Sequence, residues 1–320
     1  MKNHASHGRL ATIVSAFLLI LTAIIWGASF ISQKLGMDYV GPYAFTVGRS
    51  LLGGVFLLLV LWGRKALEIP TPHGDSPKYW RTVFRAGFFC GTALFVGLVF
   101  QQVGLQTTPA GISGFITTNY VMIVPILGLF LGIRPRGTVW IGVLLALAGL
   151  YLISTNGTTK LVAGIGEALT LGGAFCFSIQ ILVIDHYVPK TDIIAMSCVE
   201  LFVCFVEGLP FLLLPSEQAL LSPTALWKAL PAIAYAGVMS SGVGFTLQMI
   251  AQKRMPAALA SIIMSMESVF AMLFGMLLLH ESHTPAKLLG CLLVFIAVVF
   301  TQLCETARPT DETTGQAKRA

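Results

Sequence analysis

QQVGLQTTPAGISGFITTNYVMIVPILGLFLGIR (residues 101–134) and QMIAQKRMPAALASIIMSMESVFAMLFGMLLLHE (residues 248–281) match at a constant offset of 147. Each opens on a glutamine and meets Pro-Ala where an apolar run begins, at Pro109-Ala110 and Pro256-Ala257. Each then carries a glycine late in that run, Gly128 or Gly275. About 20 apolar residues suffice for a helix to cross the hydrocarbon core. The pair therefore reads as one transmembrane unit used twice.

Similar runs occupy the rest of the chain, near 11–33, 42–62, 83–104, 110–132 and 138–154, then near 164–186, 193–214, 229–250, 257–279 and 286–304. The earlier runs of the two sets match at an offset near 150, which pairs Trp26 with the region of Cys176 and Arg49 with that of Glu200. The expected fold is an all-α integral membrane protein of ten transmembrane helices, divided into repeats at 1–157 and 158–320. Five spans per repeat is an odd number, so the second half enters the bilayer in the opposite sense. Inverted repeats of this kind are a common transporter design, with the solute site between them near the midplane. The longest connection, about 63–80, holds Pro70, Pro72 and Pro77 and leaves no room for a soluble domain.

Composition agrees. Of the 320 residues, 56% are hydrophobic and 11% charged, with a mean hydropathy of +0.83; a soluble domain carries about 25% charged residues. The net charge of +6 comes from short basic clusters between apolar runs, with no basic face or aromatic-basic motif for nucleic acid. With a cytoplasmic N-terminus, 15 lysines and arginines fall in inner segments and 4 (Lys34, Lys160, Lys228 and Lys287) in outer ones. Cytoplasmic loops collect Lys and Arg. Both termini are thus expected on the cytoplasmic side of the plasma (inner) membrane. No small-residue cleavage site follows the first run, which reads on as a full span rather than a signal peptide.

Two further stretches carry a family resemblance. Trp26-Gly27-Ala28-Ser29-Phe30 closes the first span, and Met266-Glu267-Ser268-Val269-Phe270-Ala271 leads to His280-Glu281, Thr284-Pro285 and Gly290. Together they resemble the WG(S/A)xF signature and second-repeat ending of the drug/metabolite transporter superfamily, EamA type. Ser268 stands where that pattern usually has Pro, and His280 where it has Gly. The resemblance implies a ten-span secondary transporter, with amino acids or their relatives as the expected solute class.

Ionisable residues inside spans are expensive and usually face a partner or a water-filled cavity. Arg49 lies about 12 Å into the second span at about 1.5 Å per residue. It is read either as a binder for a solute carboxylate or phosphate, or as a structural partner of Glu200 or Glu267. Glu267 lies mid-span in the ninth helix, level with Tyr120 in the fourth, and is expected to line the cavity, protons being a possible coupling ion. Glu200 and Glu207 lie seven apart on one face of the seventh span, a spacing read as structural before functional. Ser29 shares a helical face with Gln33. With Gln101, Thr118, Asn119, Gln180 and Gln248 it completes a candidate polar lining, although each is also able to serve as interhelical glue. Trp26 is either a stacking surface for the solute or ordinary packing. Gly128 and Gly132 have the small-xxx-small spacing of closely approaching helices.

The six cysteines, Cys90, Cys176, Cys198, Cys204, Cys291 and Cys304, sit in or beside apolar runs without a CxxC pair or a histidine at ligand spacing. Neither metal nor cofactor is expected. The chain lacks a GxxxxGK[ST] phosphate loop, HExxH and GxSxG, so no enzyme chemistry and no ATP-driven transport is proposed. The reading is a secondary exporter of small metabolites. An exchanger of phosphorylated or nucleotide-linked solutes is the alternative, with an intramembrane enzyme or a scaffold as readings of another class. Monomer and homodimer both stay open.

Overall fold

A computed structural model describes residues 2–69, 76–155, 164–278 and 284–306. Pro70, Pro72, Lys160, His280, Glu281 and the chain from 307 onward lie outside those residues. Among the described residues all regular structure is helical. The first half comprises α1 (Lys2–Gly36), α2 (Pro42–Ala66), α3 (Pro77–Thr107), α4 (Ala110–Thr117), α5 (Tyr120–Phe130) and α6 (Gly137–Thr155). The second comprises α7 (Ile165–Tyr187), α8 (Ile193–Gly208), the single turn α9 (Pro215–Gln218), α10 (Pro223–Ala234), α11 (Phe245–Gln252), α12 (Ala257–Met264), α13 (Met266–Leu278) and α14 (Pro285–Thr306). Eight segments are long and apolar enough to cross a membrane, and two shorter apolar helices, Gly137–Leu152 and Leu288–Cys304, bring the set to ten.

A bilayer offers no water to satisfy backbone groups, so the helix starts matter. Proline stands at the first position of α2, α3, α10 and α14, where its missing N–H costs nothing. Side-chain acceptors cover orphan donors. Ser76 accepts from Tyr79 N, Asp192 from Ala195 N and Ser222 from Ala225 N. Two starts are capped from a distance: Glu217 of α9 accepts from Ala44 N at 2.9 Å, and Asp185 of α7 from Ala257 N at 3.1 Å. The eighth span starts at Pro223, earlier than the apolar run 229–250 implied, and the connection before it carries the group that anchors α2.

The halves are related by exchange. α2 lies on α8 and α6 on α14, so matching spans meet. α3 packs along α7 much as α1 packs along α10 and α11. Lipid is as apolar as leucine, so helix association here rests on close van der Waals packing, which favours small residues. Gly27 illustrates this. A Cβ built there would lie 2.6 Å from Phe270 Cβ, 2.8 Å from Ala271 N and 2.9 Å from Glu267 O. Two of those atoms are backbone and cannot rotate away. Gly27→Ala is therefore expected to destabilise the protein by about 1–3 kcal/mol through overpacking. An undiminished melting temperature in detergent would contradict the α1–α13 contact. Gly128 and Gly132 do something different from the expected helix approach. Gly132 has φ +79° and ends α5, with Ile133 N donating to Gly128 O at 2.8 Å, a Schellman-type closure.

Three spans that read as continuous runs are broken. The fourth stops after Thr117 and resumes at Tyr120, and the ninth stops after Met264 and resumes at Met266. Both begin after a proline in the same conformation, Pro109 (φ −56°, ψ 145°) and Pro256 (φ −57°, ψ 145°). Both breaks carry a hydroxyl turned back onto its own helix, Thr118 Oγ1 to Phe115 O at 2.8 Å and Ser265 Oγ to Ile262 O at 2.6 Å. These four residues sit at the offset of 147 seen in the sequence. Ser and Thr bonding back to i−3 or i−4 carbonyls bend helices. In the eighth span a π-helical segment, Tyr235–Gly244, joins α10 to α11.

Candidate functional site

The broken spans surround a cavity of about 460 Å3, open space at its mouth included. Spans one to four of the first half and six, eight and nine of the second line it. Of the nine residues expected to form the site, Trp26, Ser29, Arg49, Gln101, Gln180, Gln248 and Glu267 lie in its wall.

Arg49 is 2% exposed. Its guanidinium donates from Nε to Ser241 Oγ at 3.0 Å and from Nη2 to Ser240 Oγ at 2.9 Å, both on the π-helical segment. Nη1 has no hydrogen-bond partner. The close approach depends on reciprocal glycines. A Cβ on Gly53 would lie 2.6 Å from Gly237 O, and one on Gly237 2.8 Å from Arg49 O. Neither Glu200 nor Glu267 pairs with Arg49. Among the described residues the ion pair is Arg64 with Asp192, at 3.0 Å. The structural partnership proposed for Arg49 is therefore not made.

Glu267, 3% exposed, starts the second segment of the ninth span with the Tyr120 side chain facing it. Glu267 Oε1 and the Tyr120 hydroxyl are both buried and face each other, with no third group bonded to either atom. Gln248 leaves both amide atoms unpartnered in the same wall, and Gln33 leaves Oε1. Buried polar groups are normally satisfied, so this concentration of unmet donors and acceptors is what a polar ligand site provides. Other wall groups are spent locally: Gln101 Nε2 donates to Thr117 Oγ1 at 2.9 Å, and Trp26 Nε1 to Ser240 O at 3.1 Å. The rest of the wall is apolar and aromatic, with Phe30, Phe177 and Phe245 beside Trp26, whose ring lies 5.0 Å from that of Phe245.

Thr118 and Asn119, also expected in the site, are not in the wall. Thr118 is fully buried with its hydroxyl on Phe115 O, and Asn119 Nδ2 donates to Phe115 O and Ile116 O. Both shape the break in the fourth span and do not reach the cavity; Thr117 faces it instead. A smooth helix projects its residues 100° apart, and the break falls where that register fails. Tyr120 and Ser240 also line the wall, as does Gln33 on the helical face it shares with Ser29. Tyr120 was findable, since it is the counterpart of Glu267 at the offset of 147. Ser240 depends on the π-helical register, which no local pattern announces.

Glu200 and Glu207 share a face of α8 but have separate partners. Glu200 Oε1 accepts from Gln180 Nε2 at 2.9 Å and from Cys90 Sγ at 3.1 Å, and Glu207 accepts from Thr92 Oγ1 at 2.6 Å. All six cysteines are unbonded to one another, with Cys90, Cys198 and Cys204 buried.

Comparison with known proteins is consistent with this architecture. The model of the EamA-like transporter family matches the chain twice, over residues 13–155 and 164–303. An uncharacterized transporter of Archaeoglobus fulgidus is 30% identical over 89% of this chain and 84% of its own length. The threonine/homoserine exporter RhtA of Escherichia coli K12 is 28% identical over 85% of each chain, and the uncharacterized transporter YwfM of Bacillus subtilis is 25% identical over 95% and 97%. A crystal structure superposes with a TM-score of 0.71 at 17% identity, covering 92% of this chain and 96% of its own, a likeness of fold.

Proposed function

The chain belongs to the EamA-like transporter family, and from that premise we propose that it is a secondary transporter exporting amino acids or closely related metabolites. The carrying observation is that one basic and one acidic side chain share the cavity wall. Arg49 Nη1 is free to receive a carboxylate, and the Glu267 carboxyl, beside the Tyr120 hydroxyl, is placed to receive an ammonium group. A guanidinium fork suits a carboxylate, and the unpartnered amide of Gln248 supplies neutral hydrogen bonds between. The aromatic remainder of the wall suits the solute's side chain. The similarity to RhtA, a threonine/homoserine exporter, supports the same solute class and direction.

Alternating access follows from rocking the halves, taken as 1–157 and 158–320, about the cavity. The charge ledger supports cytoplasmic termini and a plasma-membrane location, and protons are the proposed coupling ion. A phosphorylated or nucleotide-linked solute is disfavoured, because Arg49 is the cationic side chain of the described wall and a dianionic group calls for several. The test is a panel of radiolabelled amino acids in proteoliposomes, with and without an imposed proton gradient. Accelerated movement of at least one amino acid is expected; a panel that nowhere exceeds empty vesicles would refute the reading.

A further inference from the structure

We propose that Glu200, outside the solute cavity, is the site where the coupling proton binds. The proposal builds on the transport reading above. Glu200 is 0% exposed, deep in α8. Its two oxygens are unequal. Oε1 accepts two hydrogen bonds, from Gln180 on α7 and Cys90 on α3, while Oε2 is buried without a partner. A neutral carboxyl suits this better than a carboxylate, because its carbonyl-like oxygen accepts both bonds and the O–H at Oε2 leaves an uncharged group unmet rather than a charge. The titratable and charged groups around it are Cys90 on α3, Cys204 and Glu207 on α8, and Arg49 reaching toward Cys204 from α2. Glu207 is bonded to Thr92, and Arg49 to Ser240 and Ser241. Among the described residues no cation pairs with Glu200, and an uncompensated charge at this depth costs about 2.5–3.5 kcal/mol even on insertion scales.

Position makes the proton consequential. Gln180 is at once the donor to Glu200 and a wall residue of the solute cavity. When the O–H bond at Oε2 breaks and the proton passes to water, Oε1 becomes a carboxylate oxygen. Its bond from Gln180 is then charge-assisted and roughly twice as strong. The cavity wall thus reads the proton directly. Spans two and seven are counterparts, and Glu200 occupies on the seventh the region that Arg49 occupies on the second. One repeat places a solute-facing cation there and the other a proton carrier one side chain behind the wall.

The test uses the full-length protein in proteoliposomes, with labelled L-threonine as the probe and an entrapped pH dye. Wild type is expected to move protons with threonine. Glu200→Gln keeps an Oε1 acceptor but cannot release a proton, and its protons per threonine should fall at least about tenfold while threonine still moves down its own gradient. Glu200→Asp, which restores a titratable group, should recover coupling with a displaced pH profile. Glu200→Gln coupled as in wild type would overturn the proposal. Infrared pH-difference spectra provide an arm independent of transport. A buried carboxyl band present in wild type and lost in Glu200→Gln is expected, and its absence from wild type would equally overturn it. Wild type moving no amino acid at all would overturn the transport reading and the coupling role with it, while the band would still show that Glu200 takes up and releases a proton.

Discussion

Arg49→Ala is expected to raise the half-saturating amino-acid concentration by at least about tenfold, since a hydrogen bond to a charged group contributes about 1.5–3 kcal/mol. Transport near physiological concentrations would be lost. Arg49→Lys should recover only part, because an ammonium point charge cannot reproduce the planar fork. Stability separates a binding role from a structural one. Arg49 is buried with Nη1 unpartnered and no carboxylate beside it, so the folded protein carries an uncompensated charge. Arg49→Met should accordingly melt no lower than wild type in detergent, despite losing the bonds to Ser240 and Ser241. A melting temperature several degrees lower, with binding intact, would return Arg49 to a purely structural role.

Glu267→Gln is expected to cost at least as much, through the other end of the solute. The amide keeps the size and a carbonyl acceptor but loses the charge that an ammonium group requires, and a charge-assisted bond is roughly twice as strong as a neutral one. The two substitutions should also be separable with solute analogues. An amine lacking the carboxylate should bind wild type and Arg49→Ala equally, and a carboxylate lacking the amine should bind wild type and Glu267→Gln equally. Binding by the purified proteins, read as a ligand-induced rise in melting temperature, is the measurement. Sensitivity of both analogues to both substitutions would mean that Arg49 and Glu267 act as one unit and that the zwitterion assignment is wrong. Tyr120→Phe should have a smaller effect, since it removes a neutral neighbour of the carboxylate.

Much of the architecture was legible because a bilayer makes severe demands on a sequence. Apolar runs of about 20 residues, basic residues between them and an offset of 147 between residues 101–134 and 248–281 describe ten spans in two halves without reference to a contact. The same logic marked Arg49 and Glu267, since ionisable groups in apolar runs stand out against their surroundings. Trp26-Gly27-Ala28-Ser29-Phe30 could be noticed as a pattern, but its reasons are tertiary. Gly27 meets the backbone of Glu267, Trp26 bonds Ser240 O, and Ser29 and Phe30 line the cavity.

By itself, then, the sequence determined the environment, the number of the spans, and which charges had to be accounted for, because these depend only on transfer from water to hydrocarbon. Tertiary structure decided what each polar residue does. The break after Thr117 turned Thr118 and Asn119 back onto carbonyls of the preceding turn and presented Thr117 and Tyr120 to the cavity. The π-helical segment brought Ser240 and Ser241 onto Arg49, and packing of α3, α7 and α8 left Glu200 behind Gln180. A helical wheel assumes an unbroken register, whereas a hydrogen bond is settled within a few tenths of an ångström. Only the packed positions of both halves reach that precision.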